Sequence, residues 1–506
     1  MTPISQLQLQ CSDLAKVMKT LHPNDPRRFQ IKKKIVVIHA QLRETFAKRA
    51  EATTDQATAR LKTETLTETL TLTEPTPPRH APFHFYAVPG SQQATVLVDR
   101  VYTQWLAFHQ FQRVQSVSRL QEYRTIIEGV MSNLLYAVAM QRPGVFVSRE
   151  QSTLAKASRY RPSVYNQKLL TVLDDLHAMG LIEQVKGAPW KKNPFTSALY
   201  TDGCQRTQLL AAHPFNELRS TYHTTRPTDV LFKTEQQEVV ILKKDESSAL
   251  LEYTDEDRPR AVKYRRQMQI IDRRLADAGN LLVREDARLD QRQRFLVRKF
   301  TYSSLESGGR LWGGFWQNMS KADRAAQLRI NGQQTVELDY SSVILHLAYI
   351  VAGEVAPTGD LYSIPGVATE SRAGIKKLIA ALLFASKPGT RYPQDVLQRL
   401  SEADRGKSFG QMLELIKAKH PGIVHLFGTG EGHFLQYLES QLMVNVLLYC
   451  NHAKVTALPI HDCIIVAKDQ EWLGRSMMEL ASIRVCGRVI PVKETTRKTP
   501  STPTPR

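Results

Sequence analysis

Residues 335–354 read TVELDYSSVILHLAYIVAGE, and the hydrophobic period changes inside them. Val336 and Leu338 alternate with polar neighbours up to Asp339, which predicts a half-buried strand. Tyr340, Ser341 and Ser342 interrupt the pattern, and the apolar run from Val343 predicts a helix. A carboxylate at the end of a buried strand, where a helix opens, is held rigidly enough to meet a cation. Two other segments complement it. Residues 371–386, SRAGIKKLIAALLFAS, place Arg372, Lys376, Ala380 and Phe384 at four-residue spacing, so they share one helix face. Two cations and a ring on that face suit a triphosphate and a base. Residues 458–469, LPIHDCIIVAKD, set His461 and Asp462 between apolar stretches, the pattern of a buried β-hairpin tip. Each pattern is common by itself: an HD dipeptide usually marks a turn, and an RxxxK helix usually a solvated face. Their order carries the meaning. Two-metal phosphoryl transfer needs two carboxylates bridging divalent ions about 4 Å apart, with cations at the leaving pyrophosphate.

The composition of the whole chain agrees with such a role. Its 506 residues are enough for two or three domains with full cores, and 42% hydrophobic with 23% charged residues excludes wholesale disorder. A net charge of +19 points to a polyanionic partner, nucleic acid before membrane. The cysteines are scattered without a CxxC pair, so neither a disulfide scaffold nor a structural zinc site is expected, and a reducing compartment fits. No apolar run reaches membrane-spanning length and the amino terminus lacks a secretory core. The expectation is a cytoplasmic, nucleoid-associated protein with no membrane partner.

Five segments follow from the patterning. Residues 1–50 form a basic, helical N-terminal segment, and residues 51–82 a Thr/Glu/Pro-rich linker. Residues 83–230 are expected to form a mostly α domain. There Arg161–Pro162–Ser163 leads into an amphipathic helix with Val164, Leu169, Leu170, Leu173 and Leu176 on one side. A strand at 181–185, a basic loop and a second strand near 197–200 come next. Helix, turn, helix and two-stranded wing is the order of a winged helix-turn-helix. Arg159, Arg161 and Lys168, with Lys191 and Lys192 on the wing, would then track DNA. A small helical domain with a solvated basic face fits the same residues. Residues 231–493 make the catalytic domain, opening with a basic helical stretch over 258–298. That stretch suits a nucleic-acid backbone, or a solvated helix whose interleaved acids are its partners. Residues 494–506 are read as a disordered tail.

The three central segments resemble motifs A, B and C of the family A DNA polymerases (the DNA polymerase I family) and the related single-subunit RNA polymerases of phages and mitochondria. The DYSQIELR-type motif A reads DYSSVILH from Asp339 to His346. The RxxxKxxx[F/Y]xxxY helix appears as Arg372, Lys376, Ala380 and Phe384, and the HDE or HDS of motif C as His461, Asp462 and Cys463. Upstream, GGRLWGGFWQN from Gly308 to Asn318 is similar to the family's GRL…QN segment, and Gly359–Asp360–Leu361–Tyr362 to the segment after motif A. The resemblance covers roughly residues 300–470, with no counterpart in the first 230.

The resemblance implies an α+β fold: a compact right-hand polymerase palm and fingers carrying the N-terminal winged helix-turn-helix domain. Asp339 and Asp462 would bind two Mg²⁺ ions, with Mn²⁺ as an alternative. Arg372 and Lys376 would grip the β- and γ-phosphates, and His461 would contact the primer terminus. Tyr340, Ser341, Ile344 and Phe384 would line the nucleotide site. Arg310, Gln317 and Gln436 would meet primer–template, with Glu439 facing the active site or duplex. The implied partners are a DNA primer–template and dNTPs, with NTPs as alternatives, and replication or element-encoded proteins.

Departures from the family pattern bear on substrate choice. Ile344 stands where the DNA polymerases place Glu and the RNA polymerases Gly, Phe384 replaces the motif B Tyr, Cys463 replaces the motif C Glu, and His346 replaces an Arg. The Ile344–Phe384 pair could exclude a ribose by bulk alone. No paired-carboxylate exonuclease pattern lies upstream, so no proofreading is expected. The leading expectation is a DNA polymerase extending a primer 3′-hydroxyl, serving a plasmid, phage or mobile element. A primase or single-subunit RNA polymerase on the same palm is the alternative. A non-catalytic winged-helix regulator or initiator is the third.

Overall fold

The alternation at Val336 and Leu338 does form a strand, and that strand organises the larger part of the structure. The computed structural model describes residues 80–156, 158–187, 191–192, 199–200, 207–221, 226–244, 250–283, 289–387 and 389–494. The N-terminal segment 1–50, most of the linker 51–82 and residues 495–506 lie outside them. The described residues are mixed α+β and fall into two compact units. One holds 80–238 with the short return 289–293, and the other holds 239–283 and 294–494. The expected boundary at 230 lies at 238 in this division, and the second unit is interrupted once in sequence.

In the first unit, strands β1 (Ala81–Pro82) and β2 (Ala87–Pro89) precede helices α1 (Gln92–His109) and α2 (Val117–Ala139). Ser91 and Ser116 cap the two helices, accepting from Ala94 N at 3.2 Å and Arg119 N at 3.3 Å. Strand β3 (Val145–Val147), the single turn α3 (Gln151–Leu154) and α4 (Lys168–Ala178) follow. Next come β4 (Ile182–Val185), the ribbon β5 (Lys191–Lys192) with β6 (Leu199–Tyr200), β7 (Thr207–Ala211), α5 (His213–Thr221) and β8 (Val230–Phe232). The sheet order is β1-β3-β7-β4, with β7 antiparallel to both neighbours and β1 parallel to β3. Leu169, Val172, Leu173 and Leu176 of α4 are buried in one core with Ile126, Val130 and Leu134 of α2. Of the apolar face read from the sequence, Leu169, Leu173 and Leu176 are buried and Val164 and Leu170 half-buried, while Val172 lies outside that reading. Helix α4 starts at Lys168 rather than near Val164, because Pro162 and the turn at 163–166 hold the chain out of the helix.

The second unit opens with β9 (Val240–Leu242) and α6 (Arg258–Ala276). The basic helix ends at Ala276 and not near 298: Gly279 and Asn280 break it, and residues 297–300 become β10 (Val297–Phe300). Strand β11 (Gly308–Trp312) pairs antiparallel with β10, and β9 pairs parallel with it. Helix α7 (Lys321–Gln327), β12 (Arg329–Ile330), β13 (Gln333–Tyr340) and α8 (Val343–Val351) lead to α9 (Arg372–Phe384). After α10 (Phe409–Lys419) and the long α11 (Gly432–His452), the hairpin β14 (Leu458–Ile460) and β15 (Cys463–Ala467) returns to β13. Helix α12 (Glu471–Cys486) and β16 (Val492–Glu494) close the unit. Residue 494, expected in the tail, belongs to this last strand.

Strand β15 is buried along its whole length between β13 and β14, as its unbroken apolar run requires. Helix α12 lies against it, with Gly474 under Val466 and Leu338. Gly309, at φ +82°, admits a close approach: a Cβ there would come within 2.7 Å of both the Phe300 ring and Ser440 Oγ of α11. Through that glycine α11 packs directly against β11.

Asp272 on α6 is half-buried, and its carboxylate accepts from Leu296 N at 3.0 Å. Burial outweighs that bond and pushes its carboxyl up to about 7. A folded value above the unfolded one favours the native state at low pH, and the advantage is lost as pH rises from about 4 to about 7. Asp272→Asn keeps the acceptor and removes the charge. Urea unfolding is expected to show the variant gaining stability over wild type, by ~2 kcal/mol more at pH 8 than at pH 5.

Candidate active site

The two aspartates singled out in the sequence meet across the β13–β15 ladder. Register pairs Asp339 with Cys463, and Tyr340 N donates to Asp462 O at 3.3 Å, so Asp462 stands at the hairpin tip beside the end of β13. His461 makes that tip by adopting φ +51°. Burial first, then the neighbouring Asp462 charge, push the Asp339 carboxyl up to about 7, while Lys493 and Lys376 pull the other way. Lys493 Nζ lies 3.7 Å from Asp339 Oδ2, carried on β16 in register with Asp339. Asp339 Oδ1 is buried without a hydrogen-bond donor. A carboxylate pair with one orphaned oxygen is costly unless a cation joins it.

Among the described residues no cluster of three or more His, Cys, Asp or Glu side chains forms, so the protein offers the two carboxylates. Mg²⁺ is held in just this way in nucleotide sites, by one or two carboxylates with substrate phosphates and water completing an octahedron. The residues fit that ion.

Helix α9 supplies the cations. Arg372 Cζ lies 5.3 Å and Lys376 Nζ 5.9 Å from the centroid of the Tyr362 ring, which is buried beneath them. Burial pushes the Tyr362 hydroxyl up to about 12, with the charges of Asp462, Asp360 and Asp339 adding to the effect. Arg372 is held in a fork by Asp360, with Nε to Oδ2 at 2.5 Å and Nη2 to Oδ1 at 2.9 Å. Phe384, at the other end of α9, is edge-on to His433 at 4.9 Å, and His433 meets Tyr302 at 4.1 Å. Gly432 makes room for it: a Cβ there would fall 2.5 Å from the Phe384 ring.

Arg310 of β11, which feels the Asp462 charge, is clamped by Glu439 of α11, with Nε to Oε1 and Nη2 to Oε2 both 2.8 Å. With its amide oxygen turned toward Arg310, Gln436 accepts from Nη1 at 3.0 Å. Glu439 is buried to 1% exposure while Arg310 keeps 28%, so the carboxylate is the fixed partner. Burial, then the Arg310 charge, hold the His461 imidazole below its usual value, and its buried Nδ1 has no partner. Trp312 stands edge-on to His461 at 5.0 Å.

Other expected site residues are placed differently. Tyr340 alternates to the opposite face of β13 from Asp339, is buried, and donates its hydroxyl to Met478 O at 2.5 Å; its side chain is a core residue. Ser341 N donates to Pro491 O at 2.7 Å, and Ile344 is half-buried on α8. Gln317 spends its amide on Leu311 O, Pro459 O and Gly313 N at 2.9–3.1 Å, tying the GRL segment to the hairpin.

In the first unit, Arg159 lies 3.6 Å from Glu238, Arg161 donates to the carbonyls of Tyr165, Leu154 and Lys156, and Lys168 pairs with Glu122. These three cations are thus engaged within the unit. The backbones of Lys191 and Lys192 form the ribbon, and their side chains lie outside the described residues. Sequence reasoning missed Lys493, whose only sign was the short alternation Ile490, Val492 and Glu494 beside the Thr/Pro-rich end. No protein-family model matches the chain, and no curated protein matches it.

Truncating Glu439 leaves Arg310 without its carboxylate. Glu439→Ala is expected to destabilise the protein by roughly 2–4 kcal/mol, measured by denaturant unfolding, and Glu439→Gln by less because it keeps an acceptor.

Proposed function

We propose that this chain is a template-directed nucleotidyltransferase, most simply a DNA polymerase that extends a primer 3′-hydroxyl. The observation that carries the reading is the meeting of Asp339 and Asp462 at one end of the β13–β15 ladder, with Lys376 acting on Asp339 from α9. With Mg²⁺ bound, the ions supply Lewis acidity at the α-phosphoryl group and lower the pKa of the attacking hydroxyl. The chain's own residues do the positioning. Asp339 and Asp462 hold the ions, and Lys376 and Arg372 neutralise the departing pyrophosphate. His461, neutral at pH 7, and Arg310, locked by Glu439 and Gln436, present fixed donors beside the carboxylate pair.

The first unit supports a DNA-reading role through its order: helix α2, β3, α3, α4, β4, ribbon, β7, with the three-stranded core β3-β7-β4. That is the order of a winged helix-turn-helix. Its phosphate contacts are sought on the β5–β6 ribbon, since Arg159, Arg161 and Lys168 already have internal partners. The site therefore suits a DNA polymerase of a plasmid, phage or mobile element. The half-buried Ile344, neither the Glu of a DNA polymerase nor the Gly of an RNA polymerase, keeps a primase or RNA polymerase as the second reading. No helix among the described residues is long and apolar enough to cross a membrane.

The deciding experiment is extension of a labelled primer–template with Mg²⁺, comparing dNTPs, NTPs and no primer. Asp339→Asn and Asp462→Asn are each expected to abolish extension, by at least about a thousandfold, with DNA affinity kept. In metal-free buffer at pH 8, Asp339→Asn is expected to melt above wild type, and Mg²⁺ to raise the melting point of wild type alone. Extension that survives both substitutions would remove the two-metal mechanism. A separate measurement addresses the first unit: Lys191→Ala with Lys192→Ala is expected to lower the salt slope of duplex binding by roughly 2.

A further inference from the structure

Asp360 belongs to no step of the mechanism, yet it holds one of the two phosphate-gripping cations. Its carboxylate forks the Arg372 guanidinium at 2.5 and 2.9 Å. The carboxylate is itself fixed, because Oδ1 also accepts from Tyr362 N at 3.0 Å in a turn that Gly359 opens at φ +82°. The pair is thus built into the turn rather than formed by two long side chains meeting in solvent.

We propose that Asp360 is a positioning residue that parks Arg372 in the nucleotide-free protein and yields it to the terminal phosphate of a nucleoside triphosphate. This rests on the nucleotidyltransferase reading. A carboxylate in an arginine fork has the geometry of a phosphate in the same fork, so the two compete for one set of donors. Both side chains are exposed, Arg372 to 44% and Asp360 to 37%, which makes the pair cheap to break. The order of the cations fixes which phosphate displaces it. Lys376 acts electrostatically on Asp339, and Arg372, at the start of α9, lies one helical turn, about 6 Å, from Lys376. With the α-phosphate at the carboxylate pair, Lys376 meets the tail first and Arg372 meets its end. The Tyr362 ring beneath both cations keeps them on this line while Asp360 lets go. A ligand too short to reach Arg372 leaves the pair intact.

The test measures binding of dATP, dAMP and inorganic tripolyphosphate, with Mg²⁺, to the full chain on a primer–template ended by a dideoxynucleotide. Asp360→Asn keeps the acceptor for Tyr362 N and removes the charge; Asp360→Ser is made beside it, so that a folding defect in one variant does not decide the matter. Both are expected to tighten dATP and tripolyphosphate by about fivefold and leave dAMP unchanged. In single-nucleotide incorporation, KM for the nucleotide falls by the same factor with kcat kept. Adding Arg372→Ala removes the gain. Unchanged or weaker dATP binding in the Asp360 variants, with wild type still binding, would overturn the parking role alone. A wild-type chain that binds neither dATP nor tripolyphosphate would overturn the nucleotidyltransferase reading with it.

Discussion

Two like charges held together at the end of one strand pair are the constraint around which the second unit is arranged. The β13–β15 ladder sets Asp339 beside the Asp462 tip, and burial of Asp339 raises the cost of keeping it ionised there. Every nearby cation lowers that cost. Lys493 reaches Asp339 from β16, Lys376 acts on it from α9, and Arg310 reaches toward Asp462 from β11 while Glu439 holds it. The β-strands, α9 and α11 are thereby tied to one electrostatic problem. The orphaned Oδ1 of Asp339 shows that the protein alone does not fully solve it.

The supporting side chains differ in how firmly they are held, and the differences follow burial. Glu439 is buried, and its grip on Arg310 is built for permanence, since releasing either partner strands a charge in a low-dielectric setting. Asp360 and Arg372 form a pair of the same fork geometry at the surface, where water screens both charges and exchange is easy. One bidentate pair therefore reads as scaffold and the other as a replaceable partner.

In the first unit the basic residues changed meaning once folded. Arg159, Arg161 and Lys168 lie near the start of α4, where a DNA-contacting face was expected. A guanidinium that finds three main-chain carbonyls, as Arg161 does, closes the turn before the helix. Patterns of charge along a sequence do not say which cations the fold itself consumes. The helix order, by contrast, was legible, because amphipathic period and Gly/Pro punctuation are local.

The sequence alone determined the strand that carries Asp339, the hairpin tip at His461–Asp462 and the shared face of Arg372, Lys376 and Phe384. Each depends on a period of two or of about four residues and on the turn chemistry between them, which neighbouring residues enforce. It also carried the resemblance of motif order on which the expected palm rests. Only the tertiary structure decided that Tyr340 turns into the core and that Gln317 is spent on backbone groups. It alone brought Glu439 to Arg310, Lys493 to Asp339 and Asp360 to Arg372. Those partners are distant in sequence or lie in unremarkable segments, and nothing in local periodicity encodes which charges a folded chain brings within reach of one another.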